Sequence, residues 1–383
     1  MTQSTKLDIF THEKKSFFQI SFFALFFFVL GMHLSSLSAF ADEKAEEKKK
    51  KDRNLFVLPV LFYSPETKLA LGFGGGYFFR SAKEDLELRP SSVNSFMVYT
   101  TSKQFQVFVM PDIYLKKNEY RLQGALGYSK FNDKFYGIGP GTTPEMEEKY
   151  ISRSYLTNIN VQKKVFSFIN AGLRYDFGYQ KLIELEEDGL LDSGEISGSE
   201  GGNVSGLGFL LNWDSRDDIY YSRRGSYHQV STTFYRRSLG SDYHFTKYLL
   251  DLRTYFSVST KHTLALQGYL SFSSGDVPFQ SLSLMGGQQI MRGYYTGRYR
   301  DKNMVVLQME YRVQLFGRFG MVGFAGFGNV ADRLNSIDFT KAKYNLGLGL
   351  RYMFNRDKKI NLRLDVGFTG EGRGFYISAT EAF

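Results

Sequence analysis

Tyr344-Asn345-Leu346-Gly347-Leu348-Gly349-Leu350-Arg351-Tyr352-Met353-Phe354 is the stretch that decides the fold. Tyr344, Leu346, Leu348, Leu350, Tyr352 and Phe354 fall on one parity, and Asn345, Gly347, Gly349 and Arg351 on the other. Successive side chains of a strand point to opposite faces, so one face here is apolar and the other polar or small. Ile360, Leu362, Leu364, Val366 and Phe368 against Asn361, Arg363 and Asp365 repeat the pattern, as do Tyr248, Leu250, Leu252, Phe256 and Val258 against Lys247, Asp251, Arg253 and Ser257. Tyr120, Leu122, Leu126 and Tyr128 against Arg121, Gln123, Ala125 and Ser129 repeat it again. A soluble β-sandwich shares such alternation. The polar face, however, carries Arg, Lys and Asp in mid-strand, while the other is aliphatic with aromatics at its ends, as a lipid-facing band with interfacial girdles requires.

Working outward, the chain divides into sixteen such segments: 55–63, 67–80, 92–101, 104–115, 119–129, 150–163, 165–180, 203–214, 225–238, 244–258, 261–274, 302–316, 319–330, 342–354, 358–369 and 373–383. An even number lets an antiparallel sheet close on itself. Connections after odd-numbered segments include the long ones, 131–149, 181–202, 275–301 and 331–341, whereas most of the others are short. Two of the latter, 81–91 and 215–224, are longer. Short turns at one end and long loops at the other are the pattern of an outer-membrane barrel. The expected fold is therefore all-β, a transmembrane antiparallel barrel of 16 strands, with a long lumen-directed loop before the twelfth.

Composition agrees. Aromatic residues make up 17% of the chain, mostly 37 Phe and 26 Tyr, with 38 Gly and only 7 Pro. There is no cysteine, so neither a disulfide framework nor a thiolate site is available. Lys14 and Lys15 precede an apolar run over 17–32, followed by Ala39-Phe40-Ala41, which reads as a signal peptide over 1–41 with cleavage before Asp42. An uncleaved anchor is the competing reading, disfavoured because cleavage there removes the apolar run. Residues 42–53 are almost all charged and form an expected periplasmic tether, leaving 54–383 for the barrel. The net charge of +9 loses one unit with the signal peptide, and the remaining Lys and Arg are dispersed through turns and alternating strand positions, which argues against nucleic acid as a partner.

The most informative connection runs Gly286-Gly287-Gln288-Gln289-Ile290-Met291-Arg292-Gly293-Tyr294-Tyr295-Thr296-Gly297-Arg298-Tyr299-Arg300-Asp301. It resembles the lumen loop of the bacterial surface antigen family, the barrel module of the BamA and TamA outer-membrane assembly factors, with Arg292, Gly293 and Tyr294 at the tip. Asp214, Arg216 and Asp217 through Arg224 and Gly225 resemble that family's turn between strands eight and nine, and Phe135-Tyr136-Gly137-Ile138-Gly139 resembles a loop of its shorter members. The resemblance implies that the tip arginine meets a glutamate on the twelfth strand and a Phe-x-Asp pair on the next. Alternation on the twelfth strand puts Val305, Leu307, Met309, Tyr311 and Val313 outward and Gln308, Glu310 and Arg312 inward, which makes Glu310 the candidate partner. An arginine so placed can make bidentate bonds to a carboxylate and pin the loop. Phe324 matches, but Gly326 stands where the family has aspartate, so half of the acidic anchor is expected to be missing. The competing readings are a solvated loop arginine at Arg292 and a Glu310–Arg312 pair that only solvates the interior.

The final segment ends on Phe383, resembling the terminal aromatic by which the barrel assembly machinery recognises clients, although Ser378 and Glu381 depart from that signal. The remaining expected partners are the lipids of a bacterial outer membrane, lipopolysaccharide outside and phospholipid inside.

No catalytic, cofactor-binding or metal-binding residues are expected. His228, His244 and His262 have neither triad nor metal spacing, the acidic stretch 184–188 reads as a solvated loop, and Gly72, Gly74, Gly75 and Gly76 lie within a strand. The resemblance implies a role in inserting or transporting proteins or lipids at the outer membrane. Residues 42–53 are too few for the family's POTRA modules, which receive substrates, so that role is in question. The alternative is a passive or solute-selective pore. A lipolytic or proteolytic barrel would need activity dependent on one of the three histidines.

Overall fold

The computed structural model describes residues 55–79, 91–356 and 359–383. The expected signal peptide and tether, and most of the turn expected over 81–91, lie outside the described residues. Eighteen strands follow one another: β1 Leu55–Ser64, β2 Lys68–Phe79, β3 Ser91–Thr100, β4 Phe105–Leu115, β5 Tyr120–Phe135, β6 Glu148–Phe166, β7 Ile169–Glu184, β8 Gly202–Asp214, β9 Gly225–Tyr235, β10 Phe245–Ser257, β11 His262–Gly275, β12 Ser283–Met285, β13 Tyr299–Asp301, β14 Asn303–Gln314, β15 Phe319–Ala331, β16 Lys343–Asn355, β17 Ile360–Thr369 and β18 Gly372–Ala379. Sixteen of them form a closed antiparallel barrel in the order β1-β18-β17-β16-β15-β14-β11-β10-β9-β8-β7-β6-β5-β4-β3-β2. β12 and β13 pair only with each other, forming a short ribbon inside the connection between β11 and β14.

The alternation in the sequence becomes an inverted interior. Leu346, Leu348 and Leu350 of β16 are 62%, 58% and 60% exposed, while Asn345 and Arg351 are buried. Among the largest fully buried side chains are Arg292, Arg300, Arg312 and Arg363. A soluble sheet could not present so continuous an apolar band to water. Lipid supplies the outer half of this protein's apolar environment, and the lumen holds the charges. Rings sit together near the short-turn end of the outer face, with Phe319 5.2 Å from Tyr352 and 5.6 Å from Phe316.

Two departures from expectation matter. The hairpins β5–β6 and β6–β7 run past their anticipated ends, pairing Phe135 with Glu148 and Ile151 with Glu184, so parts of two expected loops are strand. Their tips join an apolar cluster of Phe135, Tyr150, Leu191, Tyr235, Phe245, Val277, Phe279 and Leu282 that caps the long-loop end. The second is a correction. The last strand stops at Ala379, and Thr380, at φ 64°, turns the chain inward, so Phe383 is buried beside Ala382, Tyr255 and Ala265. Glu381 explains the turn: a carboxylate on the lipid face would be costly, and inside it accepts bonds from Arg351 Nε at 2.7 Å and Asn361 Nδ2 at 2.6 Å.

The barrel closes weakly. β1 pairs with β2 along its length, from Leu55↔Tyr77 to Ser64↔Lys68, and β17 pairs with β18 from Leu362↔Ala379 to Thr369↔Gly372. Between β1 and β18 one ladder pair is formed among the described residues, Tyr63↔Ile377. Because Tyr63 lies near the upper end of β1 and β18 ends two residues after Ile377, the stretch 55–60 runs on below the end of β18. Pro59 lies in that stretch, and proline, which donates no ladder bond, is tolerated in a strand that lines an edge.

Candidate functional site: the lumen loop and its ionic anchor

The connection between β11 and β14 folds into the barrel because its stem is itself a hairpin. Ser283↔Asp301, Leu284↔Arg300 and Met285↔Tyr299 pair, leaving the Arg-Gly-Tyr tip to reach the wall. Gln308 of β14 steadies the approach, accepting from Met291 N at 3.0 Å and donating to Gln289 O at 2.8 Å.

Arg292 is 1% exposed. Its Nη2 donates to Glu310 Oε1 and its Nη1 to Asp365 Oδ2, and its guanidinium lies over the Phe324 ring, 3.6 Å from the centroid. Its carbonyl accepts from Asn345 Nδ2 at 2.7 Å. The next residue is glycine for a reason of space. Gly293 has φ 115°, and a Cβ there would stand 2.6 Å from Thr369 Cγ2, while a Cβ on the facing Gly367 would stand 2.4 Å from Arg292 O. Backbone rests on backbone, and Tyr376 Oη, accepting from Gly293 N at 2.9 Å and donating to Tyr294 O at 3.2 Å, ties the tip to the closing strand β18.

Structure therefore brings Arg292, Glu310 and Phe324 together, and it corrects the expectation of a half-missing anchor. The second carboxylate comes from Asp365 on β17. A Cβ at Gly326 would stand 2.7 Å from Asn345 Oδ1 and 3.2 Å from Met291 Sδ, so an aspartate there would require the Asn345 side chain and the loop methionine to shift.

The anchor continues toward the short-turn end. Glu310 Oε2 accepts from Arg312 Nε at 2.8 Å, and Asp365 Oδ1 accepts from Arg351 Nη1 at 2.6 Å. Arg363 Nε lies 3.5 Å from Asp365 Oδ2. Both oxygens of each carboxylate are thus engaged by guanidinium groups, which leaves neither free to act as a base. What this arrangement can do is hold charge in place: removing one partner of such a buried network costs on the order of 3–5 kcal/mol, because the others are left unpaired away from water.

Other residues that sequence reasoning missed hold the rest of the loop. Glu66, between β1 and β2, accepts from Thr296 N at 2.7 Å and Thr296 Oγ1 at 2.9 Å. Glu371, between β17 and β18, accepts from Arg298 Nε at 2.7 Å and from the Tyr299 hydroxyl. Lumen parity alone marked Asp365 and Asn345, whereas Glu66 and Glu371 sit in turns and carry no local signal. The Phe-Tyr-Gly-Ile-Gly segment docks directly on the loop, with Arg300 over Phe135, Arg298 over Tyr136, and Gly139 N donating to Arg300 O at 2.9 Å.

The turn motif lies at the short-turn end. Asp214 receives Arg216 through two bonds of 2.9 Å, Asp217 Oδ1 accepts from Arg223 N and Arg224 N, and Gly225 at φ 90° approaches Ser215 O too closely for a Cβ. Among the described residues, no group of three or more His, Cys, Asp or Glu is placed to hold a metal ion.

The barrel is similar to that of BamA from Haemophilus ducreyi lacking POTRA domains 1–3, with a TM-score of 0.61 at 15% identity over 85% of this chain and 70% of that one. It is also similar to CdiB from Acinetobacter baumannii (TM-score 0.56, 15% identity) and CdiB from Escherichia coli (0.57, 10%), covering 85% of this chain in each case. This chain spans 59% and 62% of those two proteins. A search of curated proteins by sequence found no significant match. The Omp85 superfamily domain matches residues 94–379, a stretch that holds the lumen loop, its wall partners and the β8–β9 turn. With that match across most of the barrel, the chain belongs to the Omp85 superfamily and is an outer-membrane β-barrel whose fold is similar to that of BamA.

Proposed function

We propose that this barrel assists the insertion or passage of proteins or lipids at the outer membrane by opening laterally between β1 and β18. One observation carries the reading: among the described residues the seam is joined by the single ladder pair Tyr63↔Ile377. Each neighbouring pair of strands is zipped along most of its length, so the seam is where separation breaks fewest hydrogen bonds. The apolar cap over Phe135, Tyr150 and Phe279 opposes steady axial flow and favours a lateral route. On this reading the chain is exported with a cleaved signal over 1–41, is folded into the membrane by the barrel assembly machinery, and meets phospholipid on its periplasmic side and lipopolysaccharide outside.

The chain has no cysteine, so a Tyr63→Cys/Ile377→Cys pair gives a clean lock. In vesicles of outer-membrane lipid, the reduced pair is expected to accelerate folding of an added unfolded barrel protein and the oxidised pair to lose that acceleration. Equal rates in the two states would sink the lateral route.

A passive pore is the second reading, favoured by the partly solvated wall around Asp112, Arg121, Arg174 and Asp176, whose side chains are 13% to 28% exposed. Planar-bilayer recording separates the two. Small fluctuating currents are expected from a loop-plugged lumen, and large steady ones from an open pore.

A further inference from the structure

Two segments cross the short-turn mouth of the barrel, and both end on the same side chain. The first is the β8–β9 turn. It is shaped internally by Asp218 Oδ1, which accepts from Tyr220 N and Tyr221 N at 2.8 and 2.9 Å. It is tied at its near side by Arg223, whose Nη2 donates to Ser259 O and Thr260 O at 2.8 and 2.6 Å. From there it reaches across. Asp218 pairs with Lys359, between β16 and β17, at 3.3 Å, and Tyr221 shares a small cavity with Arg312, Arg351 and Glu381.

The second segment is 380–383. It leaves β18 through Thr380, whose N–H donates to Asn361 O at 2.7 Å, and carries Phe383 over to β10 and β11. Arg312 Nη2 donates to Phe383 O at 2.7 Å, and Arg312 Nη1 lies 3.4 Å from Ser222 O of the turn. The same guanidinium binds Glu310, the carboxylate that holds Arg292. A second route runs in parallel from Arg292 through Asp365 and Arg351 to Glu381.

We propose that Arg312 is a positioning residue that couples the lumen loop to the two segments across the mouth, so that the Arg292 tip and residues 380–383 are released together. The physical basis is shared charge. Glu310 and Asp365 each serve the loop on one oxygen and the mouth on the other. Losing the loop arginine leaves both carboxylates with fewer partners, and the guanidinium groups of Arg312 and Arg351 reorganise around them. Because coupling of this kind is reciprocal, disturbing the mouth must loosen the tip by the same factor. The inference concerns the closed barrel and does not depend on whether the seam passes any substrate.

The cysteine-free chain permits a direct test with single reporter thiols and a maleimide. Ala382→Cys reports the mouth and Met291→Cys the loop; both positions are buried. In the full barrel in lipid vesicles, Arg292→Lys is expected to speed labelling of the Ala382→Cys thiol about tenfold or more, although the hydrogen bonds and ion pairs of the Arg292 guanidinium go to Glu310 and Asp365 and to neither Ala382 nor Phe383, a tenfold change corresponding to about 1.4 kcal/mol of opening free energy. Arg312→Lys is expected to speed both reporters, and the double variant to be no faster than the faster single one. If Arg292→Lys does not fold, judged by the heat-modifiable gel mobility of the barrel, Arg312→Lys with both reporters tests the release on its own, and Glu381→Gln with the Met291→Cys reporter reads the coupling in the opposite direction along the parallel route through Arg351 and Asp365. Faster labelling at Met291→Cys with Ala382→Cys unchanged, or the converse for Glu381→Gln, overturns the proposal.

Discussion

The lumen of this barrel has two walls built from the same chemistry in different surroundings. On the wall formed by β14 to β18, Glu310, Arg312, Arg351 and Asp365 share one network with the loop's Arg292, and all five side chains are no more than 4% exposed. On the wall formed by β4 to β7, Arg121–Asp112 and Arg174–Asp176 form separate pairs at 2.7 Å with 13% to 28% exposure. The difference is the loop. Where the Arg-Gly-Tyr tip lies against the wall, water is excluded and each charge depends on its partners; where it does not, water stands in for a lost partner. Similar distances therefore carry different energetic weight.

Four substitutions test that contrast, from the largest expected effect downward. Asp365→Ala leaves Arg292 with Glu310 alone and Arg351 with Glu381 alone, removes the ion-pair partner of Arg363, and is expected to cost about 3–5 kcal/mol in denaturant unfolding of the micelle-bound barrel. An effect no larger than that of Asp112→Ala would erase the distinction between the walls. Gly367→Val forces a side chain into the space occupied by the Arg292 carbonyl, an overpacking worth roughly 1–3 kcal/mol, and is expected to expose the loop to protease while the barrel remains folded. Phe324→Leu removes the ring beneath Arg292, a desolvated cation–π contact worth about 2 kcal/mol, and is expected to lower the unfolding midpoint by less than Asp365→Ala does. Arg121→Ala is expected to change stability by about 1 kcal/mol or less while shifting the ion selectivity of any residual conductance toward cations. The effect of Arg121→Ala should shrink at high salt, and that of Asp365→Ala should not, because screening acts on pairs that water reaches.

Much of this was legible before the fold was known. Alternation such as Leu346, Leu348, Leu350 against Asn345 and Arg351 is a local property, and it assigns Gln308, Glu310 and Arg312 of β14, Asn345 and Arg351 of β16, and Asn361, Arg363 and Asp365 of β17 to the lumen. The tip Arg292 and its wall partner Glu310 were accessible because the loop motif and the strand parity each pointed to one of them. Asp365 was placed on the correct face but not matched to Arg292, since nothing local says which of several inward carboxylates lies at the depth the loop reaches. In the sequence Glu381 stands as a departure from the terminal assembly signal; its meaning, an inward turn at Thr380, depends on Arg351 and Asn361 lying opposite it.

By itself, then, the sequence determined the strands, their faces, the barrel and the presence of an inward loop, because a period of two and the cost of charge in lipid act on neighbouring residues. Only the tertiary structure decided the partners. Arg292 meets Asp365 across 73 residues, Arg312 reaches Phe383 across 71, and among the described residues β1 pairs with β18 at one ladder position. Those distances depend on how the strands stagger around the closed barrel, and stagger is a property of the whole sheet that no single segment encodes.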